Sequence, residues 1–294
     1  VERIVSNLAV FQEAASNGPS LNWFVIADNA QHEDLSDRFA ADAINLRCLL
    51  DSPQGSPLSK KTPHLVELGS PLQFDKPWKW LIRESIQTPC ISVIAAPGNF
   101  ESLYGDLVQH TQVVLPDEDT MFCAFWDPAI LGTLMGQSDD YSLHVSGPVL
   151  NIEQRANLAN GIGFWWYWDR SGAMHSISVG ASNTQNNTGF LKLNQQQVDD
   201  LVEASVPDHI LHYINLNQSL LIRDVHLGER YSLVRTALIR AREIGLASMR
   251  DLVDFVCVVL IYKSDVHQNK LILELLEQVK RGELSFRRAI EELP

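Results

Sequence analysis

Two carboxylates stand where α/β proteins often keep catalytic acids. Asp28 closes the apolar run Trp23-Phe24-Val25-Ile26-Ala27, and Asp127 closes Phe122-Cys123-Ala124-Phe125-Trp126. A carboxylate pair at strand ends can divide general acid and general base work. Each also has a structural reading, and that reading is preferred. Asp127 followed by Pro128 is the pattern of a helix N-cap with proline at the first helical position, and Asp28 ends a strand. A second group is Asp208, His209 and His212: two histidines three residues apart share a helix face and can ligate zinc. No distant third ligand accompanies them, so a solvated helix face is expected. The nucleophile motif G-x-S-x-G, a Walker loop and a strand-following G-x-G-x-x-G are all absent; Gly161-Ile162-Gly163 lacks the third glycine and precedes a strand. The expectation is a protein without catalytic residues, cofactor or metal.

Two features speak of binding instead. Phe164-Trp165-Trp166-Tyr167-Trp168 is a run of five aromatic residues. Strand alternation sends Phe164, Trp166 and Trp168 to one face and Trp165 and Tyr167 to the other. One face reads as core, and the other as an inter-lobe or partner contact, where Trp and Tyr are frequent anchors. Asp117, Glu118, Asp119, Asp139 and Asp140 form an acidic set that is either a solvated face or a dock for a basic partner. The candidate partner-binding residues are therefore these five acids with Trp165 and Tyr167.

The elements that position these residues follow from periodicity. An amphipathic helix is predicted over 3–15, ended by Asn17-Gly18-Pro19. Strands follow at Trp23–Ala27, Asn45–Leu50 and Cys90–Ala96, with helices at Glu33–Ala43 and Asn99–His110. Asp51 to Pro57 is a loop. Gln112–Leu115 and Met121–Trp126 flank a Pro116-Asp117-Glu118-Asp119 turn as a hairpin, so the chain passes from a strand directly into the helix that Asp127 caps. A second hairpin spans 162–179 around Asp169-Arg170-Ser171-Gly172. The polar loop Ala181 to Gly189 is the expected boundary between an α/β domain (1–185) and a helical domain (190–294). In the latter, Asn194 caps a helix, Pro207 opens the next, Gly228–Ile244 forms a third, Ser248 caps Met249–Tyr262, Asp265–Arg281 follows, and Ser285 caps the last. The fold class is α/β, a mixed sheet with flanking helices, then an all-helical lobe; the sheet is expected to become antiparallel at the hairpin.

The chain has 294 residues, 45% of them hydrophobic and 20% charged, the profile of a globular protein with a full core. A formal charge of −13 speaks against a nucleic-acid partner. Most of it lies in residues 1–190, with 10 basic and 21 acidic side chains, against 13 and 15 in 191–294; residues 101–150 contain no Lys or Arg. The four dispersed cysteines read as buried free thiols in a reducing compartment. The longest apolar run, Phe255 to Ile261, is far shorter than the ~20 residues of a membrane span. With no signal-peptide pattern in Val1-Glu2-Arg3-Ile4, a soluble cytoplasmic protein is expected.

Phe125-Trp126-Asp127-Pro128 followed by Ile130-Leu131 resembles the F-[FYW]-D-P-x-[VI]-L signature of the adaptor chaperones of bacterial type VI secretion effectors, a family long described as a domain of unknown function. Weaker likenesses fall in the family's order. Trp23 to Asn29 resembles its opening strand, with Asn29 where glycine is usual and a left-handed turn expected there. Thr62 to Leu68 resembles its xPxLVxL segment, Trp78 to Ile82 its W-x-x-W-[LI] helix less one residue, and Ser146-Gly147-Pro148-Val149 its F-G-P-[VIL] close. The resemblance covers residues 22–150, with Asp28, Phe125, Trp126, Asp127, Pro128 and Leu131 as the family-motif positions. In the helical part, Gly245-Leu246 and Asp251 to Phe255 resemble a further family pattern. The resemblance implies a non-catalytic cytoplasmic adaptor that binds a secreted effector protein, often near its N-terminal region, and loads it onto the VgrG spike protein, with no nucleic-acid or membrane partner. The alternatives are a small α/β hydrolase or transferase and an immunity-type protein that binds one toxin.

Overall fold

A computed structural model describes residues 1–17, 20–32, 34–50, 61–73, 75–177, 190–263 and 265–293. The expected loops Asp51 to Pro57 and Ala181 to Gly189 lie outside the described residues, as do Gly18 and Pro19. In chain order come α1 (Glu2–Asn17), β1 (Asn22–Asp28), α2 (Leu35–Phe39), β2 (Ala43–Cys48), β3 (Pro63–Leu68), α3 (Asp75–Gln87), β4 (Ile91–Ala96) and α4 (Phe100–Val108). Then follow β5 (Gln112–Val114), β6 (Thr120–Phe122), α5 (Pro128–Met135), α6 (Ile152–Leu158), β7 (Phe164–Trp168), β8 (Met174–Ile177) and β9 (Leu191–Lys192). The remainder is helical: α7 (Gln195–Asn217), α8 (Ser219–Ile222), α9 (Leu227–Glu243), α10 (Met249–Tyr262), α11 (Asp265–Gln268), α12 (Lys270–Lys280) and α13 (Phe286–Glu291). The fold class is thus α/β followed by helices, as the sequence predicts.

Six strands form one sheet in the order β2-β3-β1-β4-β7-β8, and each neighbouring pair is antiparallel. The sheet is therefore antiparallel from its first strands, not only from the hairpin. The reason is an insertion. β3 and β4 run in the same direction and are joined across α3 like a parallel crossover unit, but β1 lies between them and opposes both. Strand–helix alternation in sequence cannot reveal that inserted strand. A second sheet, β6-β5-β9, pairs β5 with β6 antiparallel and with β9 parallel.

The six-stranded sheet carries apolar side chains on both faces. Trp23, Val25 and Ala27 of β1 join Val93, Ala95, Trp166 and Trp168 against Leu8 and Phe11 of α1, Leu35 and Phe39 of α2, and Trp78, Leu81 and Ile82 of α3. Phe24 and Ile26 join Ile94, Trp165 and Tyr167 on the other face, against α4, α5 and α6. The first face is built from stacked and edge-on rings. Trp23 lies parallel to Trp166 at 5.9 Å, and Phe11 contacts Trp23, Trp78, Trp166 and Trp168 with centroids 5.1–6.1 Å away. Such pairs add to the area they bury.

By its internal contacts the chain divides into Val1–Val202 and Glu203–Pro294, a division that falls within α7. The second unit has its own core of Val206, Ile210, Ile214, Val234, Leu238, Phe255, Val256 and Ile272. Pro207 does not open a helix; it lies inside α7. Proline removes one N–H from the ladder, yet Val206, Ile210 and Ile214 bury one side of α7 and carry the helix through. The single helix expected over Asp265–Arg281 is two, because Asn269 accepts hydrogen bonds from the backbone of Leu271 and Ile272 and starts α12 anew. The caps expected at Asn194, Ser248 and Ser285 all accept backbone N–H groups of their helices, and Asn99 caps α4 in the same way.

Phe11 is fully buried among four tryptophans. Replacing it with alanine leaves a cavity between helix and sheet, and Phe11→Ala is expected to cost about 3–5 kcal/mol. Urea unfolding followed by tryptophan fluorescence reads this as a lower midpoint at unchanged slope.

Candidate functional site

The strand-to-helix motif is built differently from the sequence expectation. β6 stops at Phe122, which is exposed, and Cys123-Ala124-Phe125-Trp126 is not strand. Cys123 N–H still donates to Thr111 O, but Phe125 N–H then donates to Cys123 O and Asp127 N–H to Ala124 O, closing a turn. The turn drives Phe125 inward against Trp126 and Trp165, while Leu131 of α5 packs into the same core. Asp127 caps α5 as predicted: Oδ1 accepts from Ala129 N–H at 2.8 Å, with Pro128 in the first turn. A cap of this kind is worth ~1 kcal/mol.

The structure brings Asp28 and Asp127 together. Gln31, three residues after Asp28, donates from Nε2 to Asp127 Oδ2 at 3.2 Å. Asp28 itself is buried at the end of β1, where Oδ1 accepts from Ala30 N–H at 3.0 Å. Burial, and then the charge of Asp127, push the Asp28 carboxyl up to about 7, against hydrogen bonds from Ala30 and Gln31 that pull it down. This carboxyl can therefore hold a proton near neutral pH. The Cys90 thiol near it is pushed up to about 12 by burial and is no ready nucleophile. Asn29 is not left-handed: among the described non-glycine residues only Glu118 and Lys263 have positive φ. Its buried amide instead donates to Ser36 Oγ at 2.8 Å, which ties β1 to α2.

The seven candidate partner residues separate by burial. Asp117, Glu118 and Asp119 are exposed on the β5–β6 turn, where Asp117 Oδ1 accepts from Asp119 N–H and Glu118 takes a φ of 69°. Asp139 is exposed as well. Asp140, Trp165 and Tyr167 are buried, which removes them from the partner-facing set. The cause is the sheet: both its faces are core, so both halves of the aromatic alternation point inward. Trp165 Nε1 donates to Ser92 Oγ at 3.1 Å, and Tyr167 OH to Asp140 Oδ2 at 2.9 Å. Gly132 makes room for that hydroxyl, since a Cβ there would run into Tyr167.

Asp140 and Tyr167 belong to a network whose centre, His175, the motif search misses. His175 faces Asp169 Oδ2 through Nε2 at 3.0 Å and Asp139 Oδ2 through Nδ1 at 3.1 Å, and its ring lies near-parallel to that of Tyr167 at 5.3 Å. Burial works against the charged ring, but hydrogen bonds to Asp169 and Asp139 outweigh it and raise the His175 pKa. Burial likewise works against the Asp169 carboxylate, and bonds from His175, Ser171 and Ala173 outweigh it and lower its pKa. Asp140, Asp169 and His175 are the one group among the described residues with mutual spacing fit for a cation. Their atoms are already engaged: Asp140 Oδ1 accepts from Ser142, and Asp169 Oδ1 from Ser171 and Ala173. The network reads as an imidazolium held between carboxylates, tying β7, β8 and the segment after α5. The register Tyr167↔His175 across the predicted hairpin is the signal that places both side chains together. His209 and His212 lie exposed on α7 and join no such group.

Residues 23–144 match the family model described as Domain of unknown function (DUF4123). No curated protein and no solved structure matches the chain. The DUF4123 match begins in β1 and ends after α5, so it includes both Asp28 and Asp127 and the exposed β5–β6 turn. The β7–β8 hairpin with His175 and all of α6–α13 lie beyond it.

The raised Asp28 pKa makes a signed prediction. Between about pH 4 and 7 the folded state keeps a proton that the unfolded chain releases, so stability from this group is full below pH 4 and falls as pH rises to 7. Asp28→Asn keeps the acceptor for Ala30 and removes the titration. Wild type is expected to lose stability relative to Asp28→Asn across this window, by no more than about 4 kcal/mol. Denaturant unfolding of both proteins at pH 4.5 and 7.5 reads the difference; parallel pH profiles contradict it.

Proposed function

We propose that the protein is a non-catalytic adaptor chaperone that binds a type VI secretion effector and loads it onto the VgrG spike protein in the cytoplasm. The observation that carries this reading is the DUF4123 match over residues 23–144, together with the Phe125 to Leu131 motif inside it. The geometry is in keeping with it. The motif residues face inward, where Phe125 and Leu131 fill the core and Asp127 caps α5. What remains for partners is surface chemistry, and the exposed acids Asp117, Glu118 and Asp119 offer a dock for a basic segment. No helix of the described residues is long and apolar enough to cross a membrane.

One observation favours a second reading, a small α/β hydrolase or transferase. Asp28 beside Asp127 is a buried carboxyl poised near neutral pH, as a general acid or base requires. Co-purification separates the two. The intact chain, mixed with the effector and the VgrG spike, is expected to elute with both in one complex, which weakens with salt because exposed charges are screened beyond ~8 Å at physiological ionic strength. An intact chain that binds neither protein, while a small molecule raises its melting temperature, puts the enzyme reading first.

A further inference from the structure

Among the described residues β6 is an edge strand, and it exposes apolar surface. It terminates the order β6-β5-β9, and all three of its residues are exposed, Phe122 by 61% and Met121 by 39%. Edge strands are normally protected by a Lys, a Pro or a bulge; Thr120-Met121-Phe122 has no charge and no proline, and its register with β5 is unbroken.

The hydrogen bonds fix which backbone groups face out. Leu115 N–H donates to Asp119 O, and Cys123 N–H donates to Thr111 O. Residues 119, 121 and 123 therefore turn their backbone groups toward β5. By antiparallel alternation, the N–H and C=O of Thr120 and Phe122 point away from the sheet. The acidic turn Asp117-Glu118-Asp119 leads directly into this edge. The one basic residue of the three strands, Lys192, lies on β9, beyond β5.

We propose that β6 receives an added strand: an extended segment of a protein partner, alternating apolar and basic residues, pairs with the outward backbone of Thr120 and Phe122, with its apolar side chains on the sheet face that carries Phe122 and its cations drawn to Asp117, Glu118 and Asp119. Main-chain pairing supplies the affinity in this mode and the side chains supply the selection. The effector as source of that segment rests on the adaptor reading; the edge itself does not.

The test uses the full chain and a capped Lys-Val-Lys-Val-Lys peptide, with Glu-Val-Glu-Val-Glu as its control, followed by NMR amide exchange and fluorescence anisotropy. The basic peptide is expected to bind, more weakly as salt rises, and to slow exchange at Thr120 and Phe122 by about tenfold while Met121, already paired with β5, stays unchanged. Phe122→Pro deletes an outward N–H and spares the β5 ladder, so it should weaken binding about five- to tenfold, whereas Phe122→Tyr keeps it. Lack of binding, equal binding of the acidic peptide, or binding with unchanged exchange at Thr120 and Phe122 overturns the proposal. Wild-type exchange reads the edge even where Phe122→Pro fails to fold. Neither effector nor spike enters the measurement, so its failure and the failure of the adaptor reading are separate results.

Discussion

The six-stranded sheet can exist only if both its faces are covered, and that constraint organises residues 1–202. β1, β4 and β7 carry large apolar side chains in both directions, so α1, α2 and α3 must close one face and α4, α5 and α6 the other. The stack of Trp23 on Trp166, with Phe11 pressed against both, locks the first face. Asp127 starts α5 at the place where it covers the second. Asp28 becomes buried because it ends the central strand between these two layers, and its high pKa follows from that position. The small sheet joins that second core through Val113 of β5 and Leu191 of β9, while all three residues of β6 stay exposed.

Much of this was legible where local chemistry decides. The caps at Asp127, Asn194, Ser248 and Ser285, the two hairpins and the two-faced alternation of Phe164 to Trp168 all follow from residue types at short range. Three features were not legible, each for a non-local reason. β1 inserted between β3 and β4 has no sequence signature. Pro207 reads as a helix start, and only the buried side of α7 shows why the helix continues. Phe125 and Trp126 read as strand because apolar runs do not distinguish a strand from a turn folded into a core. The partner-binding set suffered from the same limit: Trp165 and Tyr167 look like anchors until the second helical layer is seen over them.

The candidate site divides accordingly into an inward and an outward part. The inward carboxylates Asp28, Asp140 and Asp169 are held by backbone and side-chain donors that make them elements of the scaffold. The outward part is the acidic turn with its exposed apolar edge strand, the surface on which the proposed strand addition rests. On the adaptor reading proposed above, such a protein would act by shape and charge.

The most direct measurement of that account is effector delivery in a cell that carries the secretion system and lacks this chain. The account predicts that one effector fails to reach the target cell while the spike is still exported, and that both wild type and Asp28→Asn restore delivery. Delivery that continues without the chain contradicts the adaptor role, and a folded Asp28→Asn that restores nothing makes Asp28 a reacting group.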